Sequence, residues 1–152
     1  MFRFDTNNLK LAVIFIGTNN AAKDQFFSRY FDGAYIRILL SQLITRQREH
    51  AALRQCFKHG DSFVIDNDNL TEKDRARYIP EAKEAGYRII GYYFNFDDRI
   101  EEKLADPLLN RDLLRAYNKM NTKAEFPEYS EGFDEIYSVT LQRSGEFKIE
   151  KI

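Results

Sequence analysis

Residues 62–94, SFVIDNDNLTEKDRARYIPEAKEAGYRIIGYYF, decide the fold of this chain. Two apolar runs, at 63–65 and 87–94, flank a polar turn and a segment with the composition of a helix. Thr71 and Asp74 have the spacing of a capping box, and Gly86 is typical of a helix end. The stretch therefore predicts a strand, a helix over 71–85 and a second strand, which together make one β-α-β unit.

The same alternation continues on both sides of this unit. The run LAVIFI at 11–16 is continuously apolar, as in a strand buried on both faces. We expect a short strand near 34–36, a last core strand at 135–141 and an edge hairpin strand at 147–149. Helical patterns cover about 22–31, 38–58, 97–104 and 110–120. The pattern predicts a three-layer α/β/α domain with a mainly parallel sheet, in which residues 11–16 lie between 62–65 and 88–94.

Length and composition are typical of one globular domain over residues 1–152, with 43% hydrophobic residues to form a core. No apolar run approaches the roughly 20 residues that span a bilayer, and the start lacks the pattern of a secretory signal. Cys56 is alone, which excludes an internal disulfide and a thiolate metal site. We therefore expect a cytoplasmic protein with no membrane partner.

An acidic and amide cluster, DNDN at 66–69, follows the first strand of the β-α-β unit. In open α/β sheets, ligands bind at the carboxyl ends of the strands. Asp66 and Asp68 carry the carboxylates that Mg²⁺ prefers, so they are the candidate metal ligands. The alternative is a polar turn, because Asp and Asn side chains readily bond the local backbone.

DNDN at 66–69, RARY at 75–78 and EGFDEIY at 131–137 closely resemble the kinase domain of the polynucleotide 5′-hydroxyl kinase family of P-loop enzymes. The resemblance covers about residues 11–141. It implies a P-loop fold with core strand order 2-3-1-4-5, ATP and Mg²⁺ as cofactors of an active enzyme, and phosphoryl transfer to a hydroxyl group. Lys23, Asp66 and Asp68 are then the candidate catalytic residues.

The sequence at the position expected for the phosphate-binding loop, residues 17–24, departs from the P-loop motif. A P-loop reads Gly-x-x-x-x-Gly-Lys followed by Ser or Thr, because backbone N–H groups must close around phosphate and a hydroxyl must hold Mg²⁺. The second glycine is replaced here by Ala22 and the hydroxyl residue by Asp24, although Asn19 and Asn20 tolerate positive φ. The candidate nucleotide or phosphate-binding residues are Gly17, Thr18, Asn19, Asn20, Ala21, Ala22, Lys23 and Asp24.

Two further elements of the family are degenerate. No acidic residue lies between Asp32 and Glu49, where the resemblance implies the aspartate base that follows the second strand. Loss of a positioned base lowers a rate by about 10²–10⁴. The family's arginine-rich lid corresponds to a short acidic segment, in which the remaining candidates are Arg99, Lys103, Arg111 and Arg115.

Three functions are compatible with these residues. The first is a degenerate kinase-like pseudoenzyme that retains binding of a nucleotide, phosphate or protein partner. The second is an active ATP-dependent kinase that acts on a polynucleotide 5′-hydroxyl or a small hydroxylated substrate, with Asp66 or Asp68 as its base. The third is a nucleic-acid end-binding module that uses Arg37, Arg46 and Arg48, since residues 1–60 hold nine basic against four acidic side chains.

Overall fold

A computed structural model of the protein describes residues 9–97, 99–106, 108 and 110–152. Its strands are β1 (Leu11–Ile16), β2 (Ile36–Ile38), β3 (Phe63–Ile65), β4 (Arg88–Asn95), β5 (Glu135–Leu141) and β6 (Phe147–Lys151). Its helices are α1 (Asn20–Tyr30), α2 (Leu40–Leu43), α3 (Arg46–His59), α4 (Glu72–Arg75), α5 (Ile79–Glu84), α6 (Ile100–Lys103) and α7 (Arg111–Lys123), with a 3-10 turn at Tyr129–Glu131.

The six strands form one sheet in the order β2-β3-β1-β4-β5-β6. The first five strands are parallel, and β6 pairs antiparallel with β5 as a C-terminal hairpin. In the register of the sheet, Val13 pairs with Val64 of β3 on one side and with Ile90 of β4 on the other. The predicted central position of residues 11–16, the core order 2-3-1-4-5 and the terminal hairpin are therefore confirmed.

Both faces of β1 are buried, which explains its continuous apolar run. Ala12, Ile14 and Ile16 pack into one hydrophobic cluster, beneath α3 and α5. The alternate residues Leu11, Val13 and Phe15 pack into a second cluster, rich in aromatic rings from α1. Successive side chains of a strand point to opposite faces, so a strand between two helical layers is apolar at every position.

The helices of the first half differ from their predicted bounds. The pattern over 38–58 predicts one helix, but the structure has two, α2 and α3. They are separated at Ile44, whose φ is 76°. The segment over 71–85 likewise forms two short helices, α4 and α5, with Pro80 in the first turn of the second. Proline fits a first turn because it has no N–H to donate to the preceding turn. The capping box of Thr71 and Asp74 is present as predicted.

The two helix-ending glycines lie where left-handed backbone is needed. Gly60 has φ 70° at the end of α3, and Gly86 has φ 88° after α5. The short second strand is shifted by two residues from its predicted position, to Ile36–Ile38. Because β1, β2 and β3 are parallel, their carboxyl ends lie at one edge of the sheet. The segment after β1, the end of β2 and the DNDN cluster meet there.

Candidate functional site

A cavity of about 650 Å³ lies at the carboxyl edge of the sheet. Its walls are the start of α1, the segment from β2 to α2, and the loop from β3 to α4. Lys23, Asp66 and Asp68, the candidate catalytic residues, all line it. We call it the Lys23 cavity.

The segment that follows β1 is short and tightly bonded. Helix α1 already begins at Asn20, three residues after Gly17, and Asn19 caps it. Asn19 has φ −80° and Asn20 is helical, so neither uses the positive φ that the sequence permits. The hydroxyl of Thr18 donates to the carbonyl of Ala116 at 2.6 Å, which ties the loop to α7.

Several backbone N–H groups of the loop already have partners within the protein. Those of Ala22 and Lys23 donate to the side chain and the carbonyl of Asn19, at 3.3 and 3.0 Å. That of Asn20 donates to Thr18, and that of Gly17 donates to the carbonyl of Asp68 at 2.9 Å. An anion nest requires such groups to converge on an empty space, whereas these four point into the protein.

The ammonium group of Lys23 is buried and surrounded by oxygen atoms. Its side chain is 4% exposed, and Nζ donates to the carbonyl of Asn67 at 3.2 Å. The carboxylates of Asp66 and Asp68 lie 3.5 and 3.8 Å from the same nitrogen. Lys23 therefore neutralises the loop after β3, and its charge faces the protein.

Arg37 is the residue of this site whose role the sequence did not predict. From the middle of β2, its guanidinium contacts two carboxylates: Nη2 lies 2.8 Å from Asp24 and 2.5 Å from Asp66. It also lies over the ring of Phe27, at 4.8 Å from the centroid. Burial alone would lower the pKa of Arg37, but hydrogen bonds to the two aspartates outweigh it, so the pKa is raised and the charge is fixed.

Six of the charged groups in and beside the cavity form one connected and balanced set. Lys119 of α7 adds a further ion pair to this set, because its Nζ lies 2.7 Å from the carboxylate of Asp68. The result is a six-residue charge network of three carboxylates and three cations: Asp24, Arg37, Asp66, Lys23, Asp68 and Lys119. Because each carboxylate faces at least one cation at short range, the network carries no net charge to attract a polyphosphate.

A second polar cluster supports the wall of the cavity beside α3. The buried carboxylate of Glu49 accepts hydrogen bonds from Arg46, Asn67 and Tyr78, at 2.8, 2.8 and 3.1 Å. Burial raises the pKa of Tyr78, and the nearby charge of Glu49 adds to it, so the hydroxyl remains a donor. Asn67 in turn accepts from the N–H of Leu40. This cluster fixes the DNDN loop against α2 and α3.

The candidate lid residues lie apart from the Lys23 cavity. Arg99 and Lys103 line a separate cavity of about 530 Å³, and they pair with Glu102 and Asp97. Arg115 faces Asp112 at 3.8 Å on the exposed surface of α7, which begins at Arg111. None of these four side chains lines the Lys23 cavity.

The nucleic-acid candidates are divided between two surfaces. Arg37 and Arg46 line the Lys23 cavity, but each is paired with a carboxylate. Arg48 lies on the exposed part of α3. Within the described parts of the chain, no three His, Cys, Asp or Glu side chains converge as a metal-binding group, and no helix is long and apolar enough to cross a membrane.

Sequence reasoning named the acidic side chains of this site and Lys23, gave Arg37 only as a nucleic-acid candidate, and missed Lys119. The signal for Arg37 was present: a charged side chain in the middle of a three-residue strand, between two isoleucines. Lys119 gave no such signal, because it is one of several exposed charges on an amphipathic helix. Its contact with Asp68 joins residues 51 positions apart in the sequence.

Comparison with known proteins gives evidence on the fold alone. The sequence matches no family model. A solved structure from the characterisation of the PezAT chromosomal toxin–antitoxin system of Streptococcus pneumoniae superposes with a TM-score of 0.58. The match covers 91% of this chain and 69% of that one, at 11% sequence identity. The chain has a mixed α/β architecture with a mainly parallel sheet, and this architecture is compatible with a P-loop kinase-like fold.

Proposed function

We propose that this chain is a degenerate P-loop kinase-like protein in which phosphoryl transfer is lost or very weak, and that its retained role is binding. The observation that carries the proposal is the burial of Lys23 among Asn67, Asp66 and Asp68. In an active P-loop the lysine meets the β- and γ-phosphates. Here, the same ammonium serves as an internal counter-ion.

The segment over 17–24 does not fit ATP with Mg²⁺. Four of the N–H groups that would cradle phosphate, those of Gly17, Asn20, Ala22 and Lys23, already donate to other atoms of the protein. Asp24 also brings a carboxylate to the helix start. A negative group at this position repels a triphosphate at close range. The hydroxyl that would hold Mg²⁺ in such a site is absent from position 24.

The contacts of the two candidate bases also favour this proposal over an active kinase. A general base must reach the proton of the attacking hydroxyl. Asp66 is 2% exposed and contacts Arg37 and Lys23, and Asp68 contacts Lys23 and Lys119. These cations compete with a substrate for the carboxylate oxygens.

A protein partner is the ligand class that we favour for the retained role. The structural neighbour comes from a toxin–antitoxin system. The mouth of the Lys23 cavity also carries side chains suited to a protein surface: Leu40, Arg46 and Arg77 line it, and Ile44 in the adjoining turn is 71% exposed. Arginine is enriched where proteins meet, and removal of exposed apolar surface from water favours association.

A transfer assay tests the loss of catalysis. The unaltered protein and the Lys23→Ala variant are incubated with labelled ATP, Mg²⁺ and a 5′-hydroxyl oligonucleotide. We expect no labelled product above the Lys23→Ala control. Product above that control would contradict the proposal, and Asp66→Asn and Asp68→Asn would then identify the base.

The same samples test the nucleic-acid alternative. Phosphate contacts release counterions, so true binding of the oligonucleotide weakens steeply as salt rises. Replacement of Arg46 and Arg48 by Ala should flatten that dependence if these arginines hold the nucleic acid. We expect only weak binding, with a slope that the two substitutions leave unchanged.

A further inference from the structure

We propose that Arg37 is a resident cation, which takes the place that a divalent metal ion holds in an active P-loop site. The comparison with active P-loop enzymes rests on the proposed function. In active P-loop enzymes, Mg²⁺ is held by the hydroxyl residue after the lysine and by an aspartate near the end of a neighbouring strand. The corresponding positions here hold Asp24 and Asp66, and the guanidinium of Arg37 lies between them.

The geometry around one nitrogen atom carries the inference. Nη2 of Arg37 contacts Oδ1 of Asp24 and Oδ2 of Asp66, while Nε donates to the same oxygen of Asp66 at 2.9 Å. The two carboxylate oxygens are therefore within about 5 Å of each other, close to the span of two oxygen ligands on Ca²⁺. One positive group thus occupies the space between two carboxylates from different segments, α1 and the loop after β3.

The surroundings fit a guanidinium better than a metal ion. The ring of Phe27 lies against the flat face of Arg37, a contact that suits a delocalised planar cation. Position 37 therefore contributes both the charge and the shape that close the site.

Asp66 shows what the carboxylate would do without Arg37. It is buried, and its second oxygen, Oδ1, has no hydrogen-bond partner within the described structure and lies 3.5 Å from Nζ of Lys23. Removal of Arg37 would leave Asp66 with Lys23 alone, at 3.5 Å, and would take from Asp24 the one cation paired with it among the described residues. Two neighbouring carboxylates that have lost the positive charge between them favour a hard divalent cation.

The test measures binding of Mn²⁺ alone, by electron paramagnetic resonance, to the unaltered protein and to variants at positions 24, 37 and 46. We expect no specific binding by the unaltered protein. Arg37→Ala should bind one Mn²⁺ at least about tenfold more tightly, because a unit charge has been removed between two carboxylates at short range. Arg37→Lys should remain unresponsive, since it keeps a positive charge.

Arg46→Ala is the matched control. Arg46 also lines the cavity and also pairs with a buried carboxylate, that of Glu49, but it joins only one carboxylate. It should therefore gain no Mn²⁺ site. In the background of Arg37→Ala, the further change Asp24→Asn should abolish the gained site, which would place the ion between positions 24 and 66.

Two results would overturn the inference. One is specific Mn²⁺ binding by the unaltered protein that Asp24→Asn abolishes. The other is a folded Arg37→Ala protein that binds no more Mn²⁺ than the unaltered one; if this variant fails to fold, Arg37→Gln takes its place with the same expectation. Tight ATP binding would contradict the proposed function alone, whereas an unresponsive Arg37→Ala would contradict this inference alone.

Discussion

Arg75 shows how a single side chain can hold distant parts of this fold together. It is completely buried and forms a two-pronged ion pair with Glu131, at 2.7 and 2.8 Å. Its third nitrogen donates to the carbonyls of Asn69 and Leu70. One guanidinium therefore joins α4, the DNDN loop and the 3-10 turn before β5.

Replacement of Arg75 by Met should lower the free energy of unfolding by about 3–5 kcal/mol, because Glu131 would remain buried without a counter-ion. The double change Arg75→Met with Glu131→Leu should recover much of the loss. Urea denaturation measures both. Arg88→Ala is the control, since its pair with Glu135 is partly exposed and should contribute about 1 kcal/mol or less. A loss at Arg75 no larger than at Arg88 would contradict the role assigned to the buried pair.

A second prediction at the residue scale concerns the loop after β1. The double change Ala22→Gly with Asp24→Ser should strengthen ATP·Mg²⁺ binding by about tenfold or more, a difference of about 1.4 kcal/mol. Glycine loosens the first turn of α1, and loss of the Asp24 carboxylate removes repulsion and releases Arg37. Calorimetry measures the gain, with the same double change in a Lys23→Ala background as control. No gain would mean that the loop has lost its anion-binding shape altogether.

At the scale of single elements, sequence patterns located nearly every strand and helix. Apolar runs found β1, β3 and β4, and the capping box found the start of α4. The patterns missed the break between α2 and α3, because leucines at 39, 40, 43 and 53 continue at helical spacing across it. The break depends on the backbone of Ile44, and no residue type there signals positive φ.

Ile44 provides a prediction about that break. A β-branched residue at φ 76° and ψ −44° is strained. The residue is 71% exposed, so removal of its side chain would lose little buried apolar surface. Ile44→Gly should therefore raise the free energy of unfolding by about 1 kcal/mol. Ile44→Ala keeps a side chain at the same φ, so it should raise the free energy of unfolding by much less. Thermal unfolding compares the two, and a clear loss of stability in Ile44→Gly would show that the isoleucine side chain contributes contacts there.

At the scale of the whole molecule, the fold was predictable and the site only in part. Sheet order follows from the alternation of strands and helices and from the resemblance to P-loop kinases. The acidic members of the site follow from their place at a strand end. The cations that neutralise them come from β2, α1 and α7, and their pairing depends on distances that only the packed sheet determines. Sequence therefore indicates which residue types lie at this edge of the sheet, and the structure shows how their charges pair.

The central claim is that the six-residue charge network leaves no place for a nucleoside triphosphate. Titration calorimetry of the unaltered protein with ATP and Mg²⁺ tests it most directly, because every enzymatic alternative requires that binding. We predict little or no heat of binding, since Lys23 and Arg37 are held by carboxylates and four N–H groups of the loop have partners within the protein. A dissociation constant in the low micromolar range would contradict the account.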